Sequence, residues 1–107
     1  MGTVRQCTAQ RRVLRLEFEA YAPMALREME KLAATVSQRW AAQRIAIHHR
    51  LGTLLVGEVA VVIAVATPHR QAAFEACQYT IDTLKQTVPI WKREVFEDGA
   101  VWVAAHP

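Results

Sequence analysis

Three short runs carry side chains that could do chemistry, and all three suit an anion. The first is Thr67-Pro68-His69-Arg70. At the start of a helix it would join free backbone N–H groups and the positive end of the helix dipole to an imidazole donor and a guanidinium fork, which grips phosphate or carboxylate in two places. The alternative is a pair of surface residues in a first helical turn. A basic residue is disfavoured at that end of a helix, which tilts the reading toward a bound anion. The second is Lys85, which follows Leu84 and flanks an apolar stripe instead of lying opposite it. Such a lysine either snorkels outward or lines a pocket, where partial burial would make its amine more useful. The third is Lys92-Arg93-Glu94, just past Pro89. On an extended segment these read as one exposed cation on each face of an edge strand, with Glu94 an ion-pair partner for either, worth little if exposed.

Other chemistries find no support. His48 and His49 on a strand would point to opposite faces and could not easily share a metal, and His106 is in the tail. The chain has no nucleophile elbow, no Gly-rich phosphate loop and no metal-ligand cluster, so no cofactor or metal is expected. Its two cysteines form neither a redox pair nor a metal pattern: Cys77 is expected to pack on the apolar face of a helix, and Cys7 lies in a polar N-terminal stretch. Strands separate the two expected helices, which excludes a helix-turn-helix, and no nucleic-acid partner is expected. The longest unbroken apolar run, Val59 to Ala66, falls far short of the roughly 20 residues that span a bilayer. A signal-peptide apolar region is lacking, and Gln6 stands where a myristoylation motif wants Ser or Thr. A cytoplasmic protein without membrane attachment is the expectation.

The elements that must position these groups follow from periodicity. The 107 residues, 52% apolar and 21% charged, suffice for one domain with one core, residues 1–107. Thirteen Lys and Arg against ten Asp and Glu give a mild basic excess that points only weakly to an anionic ligand. Met1 to Arg12 has no clear period. From Val13 to Tyr21, Leu14, Leu16, Phe18 and Ala20 alternate with charges, as in a half-buried strand. Pro23 suits a first helical turn, and Leu26, Met29, Leu32 or Ala33, Val36 and Trp40 continue at helical spacing. Arg44 to His49 reads as a short strand, Gly52 and Gly57 as turns or bulges, and Glu58 to Ala66 as a central strand covered on both faces. Thr67 reads as the N-cap and Pro68 as the first position of a helix with the stripe Ala73, Cys77, Ile81, Leu84 and Val88, stopped by Pro89. Ile90 to Phe96, an Asp98-Gly99 turn and Val101 to Val103 form a hairpin. Two helices on a mostly antiparallel sheet make an α+β domain.

Longer runs add a resemblance. PHRQAAFEACQYTIDTLKQTVPIWKREVFEDG from Pro68 to Gly99, LEFEAYAPMALREME from Leu16 to Glu30, and HRLGTLLVGE from His49 to Glu58 closely resemble the large subunit of molybdopterin synthases, nearly continuously from Gly2 to Val103. The resemblance implies a hammerhead-like fold and a homodimer. Each copy would receive the C-terminal Gly-Gly tail of a small ubiquitin-like sulfur carrier, charged as a thiocarboxylate. The implied reaction inserts two sulfurs into cyclic pyranopterin monophosphate to form the dithiolene of molybdopterin. It also implies roles: Lys85 and Lys92 in catalysis, and Thr3, Val4, Arg5, His69, Arg70, Lys85, Lys92, Arg93 and Glu94 in substrate binding. Arg5, His69, Arg70, Lys85 and Lys92 would then share one pocket, holding phosphate and tail and stabilising the oxyanion of sulfur transfer.

The similar proteins carry a longer N-terminal stretch, including a strand leading into the arginine. Here that strand is expected to be missing, Arg5 to sit on a frayed terminus, and the sheet to expose an edge. Two further readings stand beside the enzyme: a non-catalytic shortened homologue that binds the small subunit or a phosphorylated ligand, and a structural dimerisation domain. Intact Lys85 and Lys92 favour the enzyme over the latter.

Overall fold

The computed structural model describes residues 1–104; His106 lies outside them. The elements follow in the order β1 (Gly2–Thr3), β2 (Cys7–Thr8), β3 (Arg11–Ala20), α1 (Ala22–Arg39), β4 (Arg44–His49), β5 (Gly52–Leu55), β6 (Val59–Ala66), α2 (Arg70–Thr87), β7 (Ile90–Phe96) and β8 (Gly99–Ala104). Every strand pairing is antiparallel, which gives the expected α+β class. The strands divide into two sheets, however. β1, β6 and β4 form one; β2, β3, β7 and β8 run in order through the other, with β5 also pairing to β3.

β3 is the backbone of the larger sheet, and its alternation is broken once. Val13 is buried while Leu14 is 40% exposed, the reverse of the sequence pattern. The register with β7 shifts between Val13 and Arg15, and such an irregularity moves one residue to the other face. Val13 thereby joins Leu16 and Phe18 in the core.

On α1 the buried positions are Ala25, Leu32 and Val36, with Met29 and Trp40 packed against them. Leu26, expected inward, is 59% exposed; Ala25 takes its place one residue earlier. α2 shows the same one-residue rotation. Ala76, Thr80 and Leu84 are its buried line, so Cys77 and Ile81 are only half-buried on the shoulder. Thr80 is accommodated because its hydroxyl donates to the Ala76 carbonyl at 2.7 Å, so that this hydroxyl is not left unpaired. Cys77 Sγ lies 3.9 Å from the Ile63 carbonyl. Cys7 is exposed.

Three other expectations are corrected. α2 begins at Arg70 with His69 as N-cap and no side-chain cap, because the Thr67 hydroxyl donates to the His69 carbonyl at 2.6 Å and so is not accepting a helix N–H. β6 is covered on one face only: its burial alternates, with Val62, Ala64 and Ala66 exposed, since α2 and α1 pack on one side of the smaller sheet. The hairpin closes over Glu97-Asp98, with Phe96 paired to Gly99. Gly52 and Gly57, at φ 88° and 87°, do hold the turns read from the sequence, in the left-handed region that side chains avoid. The second of these turns is tied by Glu58, whose carboxylate accepts the Leu55 N–H at 2.6 Å and pairs with Arg50 at 3.2 Å. Among the described residues no helix is long and apolar enough to cross a membrane.

A candidate anion-binding cavity

Register fixes the floor of the site. Across β3 and β7, Leu16 stands opposite Glu94 and Phe18 opposite Lys92, and directly opposed residues share a sheet face. The C-terminal half of α2 crosses above this face and brings Ile81, Leu84 and Lys85. Side walls come from β1 and β6, through Gly2, Thr3, Ala60 and Val61, and from His49 at the end of β4. The cavity, open to solvent on one side, measures about 360 Å³. β1 presses close to β6: a Cβ at Gly2 would stand 2.8 Å from Val61 Cγ1, so a larger residue there would have to displace the Val61 side chain.

Charge in this cavity is predominantly positive. Arg5, Lys85 and Lys92 line it against one carboxylate, Glu94, three positive charges to one negative. Lys92 Nζ lies 3.4 Å from Glu94 Oε1, with side-chain exposures of 23% and 7%. Glu94 Oε2 is buried and has no hydrogen-bond partner. The expectation of exposed charges on an edge strand is therefore wrong for this pair. β7 lies inside the sheet, between β3 and β8, and its inward face looks into the cavity. Lys85 is exposed at the rim, so the partial burial imagined for it does not occur within this chain.

The remaining predicted site residues are dispersed. Thr3 and Arg5 line the cavity, and Arg5 is not on a frayed end: β1 pairs with β6 through Gly2 and Thr3, while the Val4 N–H donates to the Glu58 carbonyl and the Gly57 N–H to the Val4 carbonyl, both at 2.9 Å. Val4 itself is 3% exposed, its side chain packed in the core. Arg93 points to the opposite face of β7 and pairs with Glu17 at 3.1 Å. His69 and Arg70 are exposed at the other end of α2. Fifteen positions separate Arg70 from Lys85, about 22 Å along a helix. The single pocket expected for all five cationic and imidazole groups does not form within one chain.

Sequence reasoning missed His49. It correctly set His48 and His49 on opposite faces, but judged them only as metal ligands. His49 is half-buried on the cavity wall, its ring edge-on to Phe18 at 4.9 Å and 75°. Its Nδ1 lies 2.7 Å from the Arg50 carbonyl. Burial holds its pKa below the ordinary 6.5, partly offset by that hydrogen bond. The available signal was the pairing of an inward strand position with an Ile45–Ile47 core face. Among the described residues no three His, Cys, Asp or Glu side chains are grouped to hold a metal.

Comparison with known proteins places this geometry. The molybdopterin synthase catalytic subunit of Bacillus subtilis is 50% identical over 103 residues, covering 96% of this chain and 66% of that protein. The human protein of the same name is 45% identical over 102 residues, covering 95% of this chain and 54% of its own length. The chain thus spans slightly less than two thirds of the one and about half of the other. A crystal structure of molybdopterin synthase from Staphylococcus aureus superposes with a TM-score of 0.91 at 40% identity, over 95% of this chain and 74% of that one. Residues 1–87, from the β1 wall through Lys85, match the family model described as MoaE protein, and on that match, with the shared fold, the chain belongs to the MoaE protein family.

Proposed function

We propose that the chain is the sulfur-transferring large subunit of a molybdopterin synthase, acting in the cytoplasm. The observation that carries the reading is the meeting of Lys85 from α2 and Lys92 from β7 in one cavity with Arg5. In this reading the cavity takes cyclic pyranopterin monophosphate, with its phosphate against the cations and a ring N–H toward the free oxygen of Glu94. The Gly-Gly tail of the small subunit arrives at the rim, where the Lys85 ammonium stabilises the oxyanion formed at the thiocarboxylate carbon. No sulfur-bearing side chain of this chain is then required, because the partner brings the sulfur.

His69 and Arg70 enter this scheme only if a second copy brings the start of its α2 to the cavity. The active form is therefore read as a homodimer in which each cavity is completed across the interface. The test is an assay with thiocarboxylated small subunit and cyclic pyranopterin monophosphate, scoring dithiolene formation. A product supports the enzyme. No product, with the small subunit still bound, favours the second reading, a non-catalytic homologue.

A further inference from the structure

We propose that His49 is the proton acceptor of this cavity, acting through Nε2 on the water that frees the partner's tail after sulfur transfer. The inference rests on the sulfurtransferase reading and adds a residue and a step to it.

The tautomer follows from the hydrogen bond. A backbone carbonyl can only accept, so the contact of 2.7 Å between His49 Nδ1 and the Arg50 oxygen puts the proton on Nδ1. A neutral imidazole has one such proton, and Nε2 is left as a bare acceptor. The contact with the Arg50 carbonyl engages Nδ1 alone and leaves the lone pair of Nε2 available. The edge-on contact with Phe18 holds the ring plane, and Phe18 is itself buried in the floor opposite Lys92. The acceptor is therefore fixed on the cavity wall before any ligand arrives.

The surroundings keep the ring neutral. Burial disfavours the imidazolium. From α2, Lys85 faces the same space; from β7, Lys92 and Glu94; from the segment after β1, Arg5. Glu94, the one carboxylate of the lining, is engaged with Lys92. Arg50, next in the chain, is paired with Glu58 at 3.2 Å. An additional positive charge on His49 would thus meet three cations against a single carboxylate, Glu94, which Lys92 already neutralises. His49 is the lining residue whose titration range suits general-base work.

Sulfur chemistry supplies the step that needs it. A thiocarboxylate that adds through sulfur to a carbonyl carbon of the substrate, whose π pair passes to the carbonyl oxygen, forms an acyl–sulfur–carbon link, a thioester. For sulfur to remain on the product, the acyl–sulfur bond must be cut by water. Nε2 takes one proton of the water as its oxygen bonds to the acyl carbon. The carbon–sulfur bond then breaks, its electron pair leaves with sulfur as a substrate thiolate, and the tail departs as a carboxylic acid that ionises to solvent. Lys85 at the rim stabilises the tetrahedral oxyanion between.

The experiment is single-turnover transfer by the full chain with preloaded small subunit and cyclic pyranopterin monophosphate, across pH 5 to about 9, for wild type, His49→Asn and His49→Gln. Asn can still donate to the Arg50 carbonyl, and Gln can place an amide near Nε2; neither can take up the proton. Both should slow release of the free tail about 10²–10⁴-fold and lose the acid limb of the wild-type profile, while inorganic phosphate binding followed by NMR stays unchanged. Accumulated thioester between tail and substrate would mark the blocked step. Wild-type rates with an unchanged acid limb in either folded variant overturn the proposal. So does a ¹⁵N spectrum of the wild-type imidazole showing the proton on Nε2 at neutral pH, a measurement that needs no variant to fold. If wild type itself transfers no sulfur, the sulfurtransferase reading has failed, and this role falls with it.

Discussion

Lys92 and Glu94 face the same side of β7, Nζ 3.4 Å from Oε1, and the second carboxylate oxygen is buried with no partner. A half-satisfied buried carboxylate is costly unless a ligand or water completes it. Removing the lysine should therefore do more than remove a charge from the cavity. Lys92→Ala is expected to lower stability by about 1–3 kcal/mol, the cost of leaving a buried group unpaired, and to weaken substrate handling while retaining some activity. Glu94→Gln, which keeps a polar group of the same shape, should lose less stability. Urea unfolding of the two variants checks this; equal stability of Lys92→Ala and wild type would show that the pair contributes nothing.

Lys85 makes no such structural contact and stands exposed at the rim. Lys85→Ala should keep the fold and small-subunit docking and lower sulfur transfer about 10²–10³-fold, the usual effect of deleting one positioned oxyanion donor. Lys85→Arg should rescue poorly, because a guanidinium differs in shape and does not lose its proton. Single-turnover transfer beside a docking titration separates the effects. Near wild-type transfer by Lys85→Ala would return this lysine to an ordinary surface role.

The separation of Arg70 from Lys85 along α2 gives a test of the dimer. If each cavity draws Arg70 from a second copy, Arg70→Ala and Lys85→Ala should each be inactive alone. Mixing and exchanging subunits should restore part of the activity, because one cavity in the mixed dimer carries neither change. Sedimentation should show a dimer at micromolar concentration. Failure of the mixture to recover activity, with mixed dimers demonstrated, would remove Arg70 and His69 from the site.

Burial of His49 makes stability depend on pH in a stated direction. The folded ring holds its pKa below 6.5, so as pH falls through about 6.5 the unfolded chain takes up a proton that the folded chain refuses. Stability contributed by this group is intact above that value, declines as pH drops below it, and stops declining once the folded ring also titrates. Urea midpoints measured from pH 8 down to about 5 should show this decline in wild type and a smaller one in His49→Gln. Parallel curves would mean that the ring is not held neutral.

Leu54 tests the junction of the short strands. It is fully buried on β5, opposite Leu16 on β3, on the same sheet face as the cavity floor. Leu54→Ala should cost about 2–5 kcal/mol. A loss under about 1 kcal/mol, read from chemical denaturation, would show that β5 packs loosely on the core.

Local pattern was enough for the long elements. Alternation over Val13 to Tyr21, the helical stripes of α1 and α2 and the Ile90 to Val103 hairpin are legible because side-chain direction repeats within a few residues of the same chain segment. The candidates Lys85 and Lys92 were legible too, the first from its place beside a stripe, both from resemblance. Tertiary structure decided the rest. Whether β6 joins β7 or stands in a separate sheet, and whether its second face is covered, depends on packing partners far along the chain. The two-residue strands β1 and β2 are too short to show a period, yet β1 closes the wall beside Arg5. The inversion of Val13 and Leu14 needed the register shift against β7. Burial of Glu94 required β8 to cover the other edge of β7, which no property of Lys92-Arg93-Glu94 announces. His49 became a cavity residue only when β4, β7, α2 and the N-terminal segment converged. The convergence is set by core packing among residues some tens of positions apart, whereas periodicity reports only which way each residue faces within its own element.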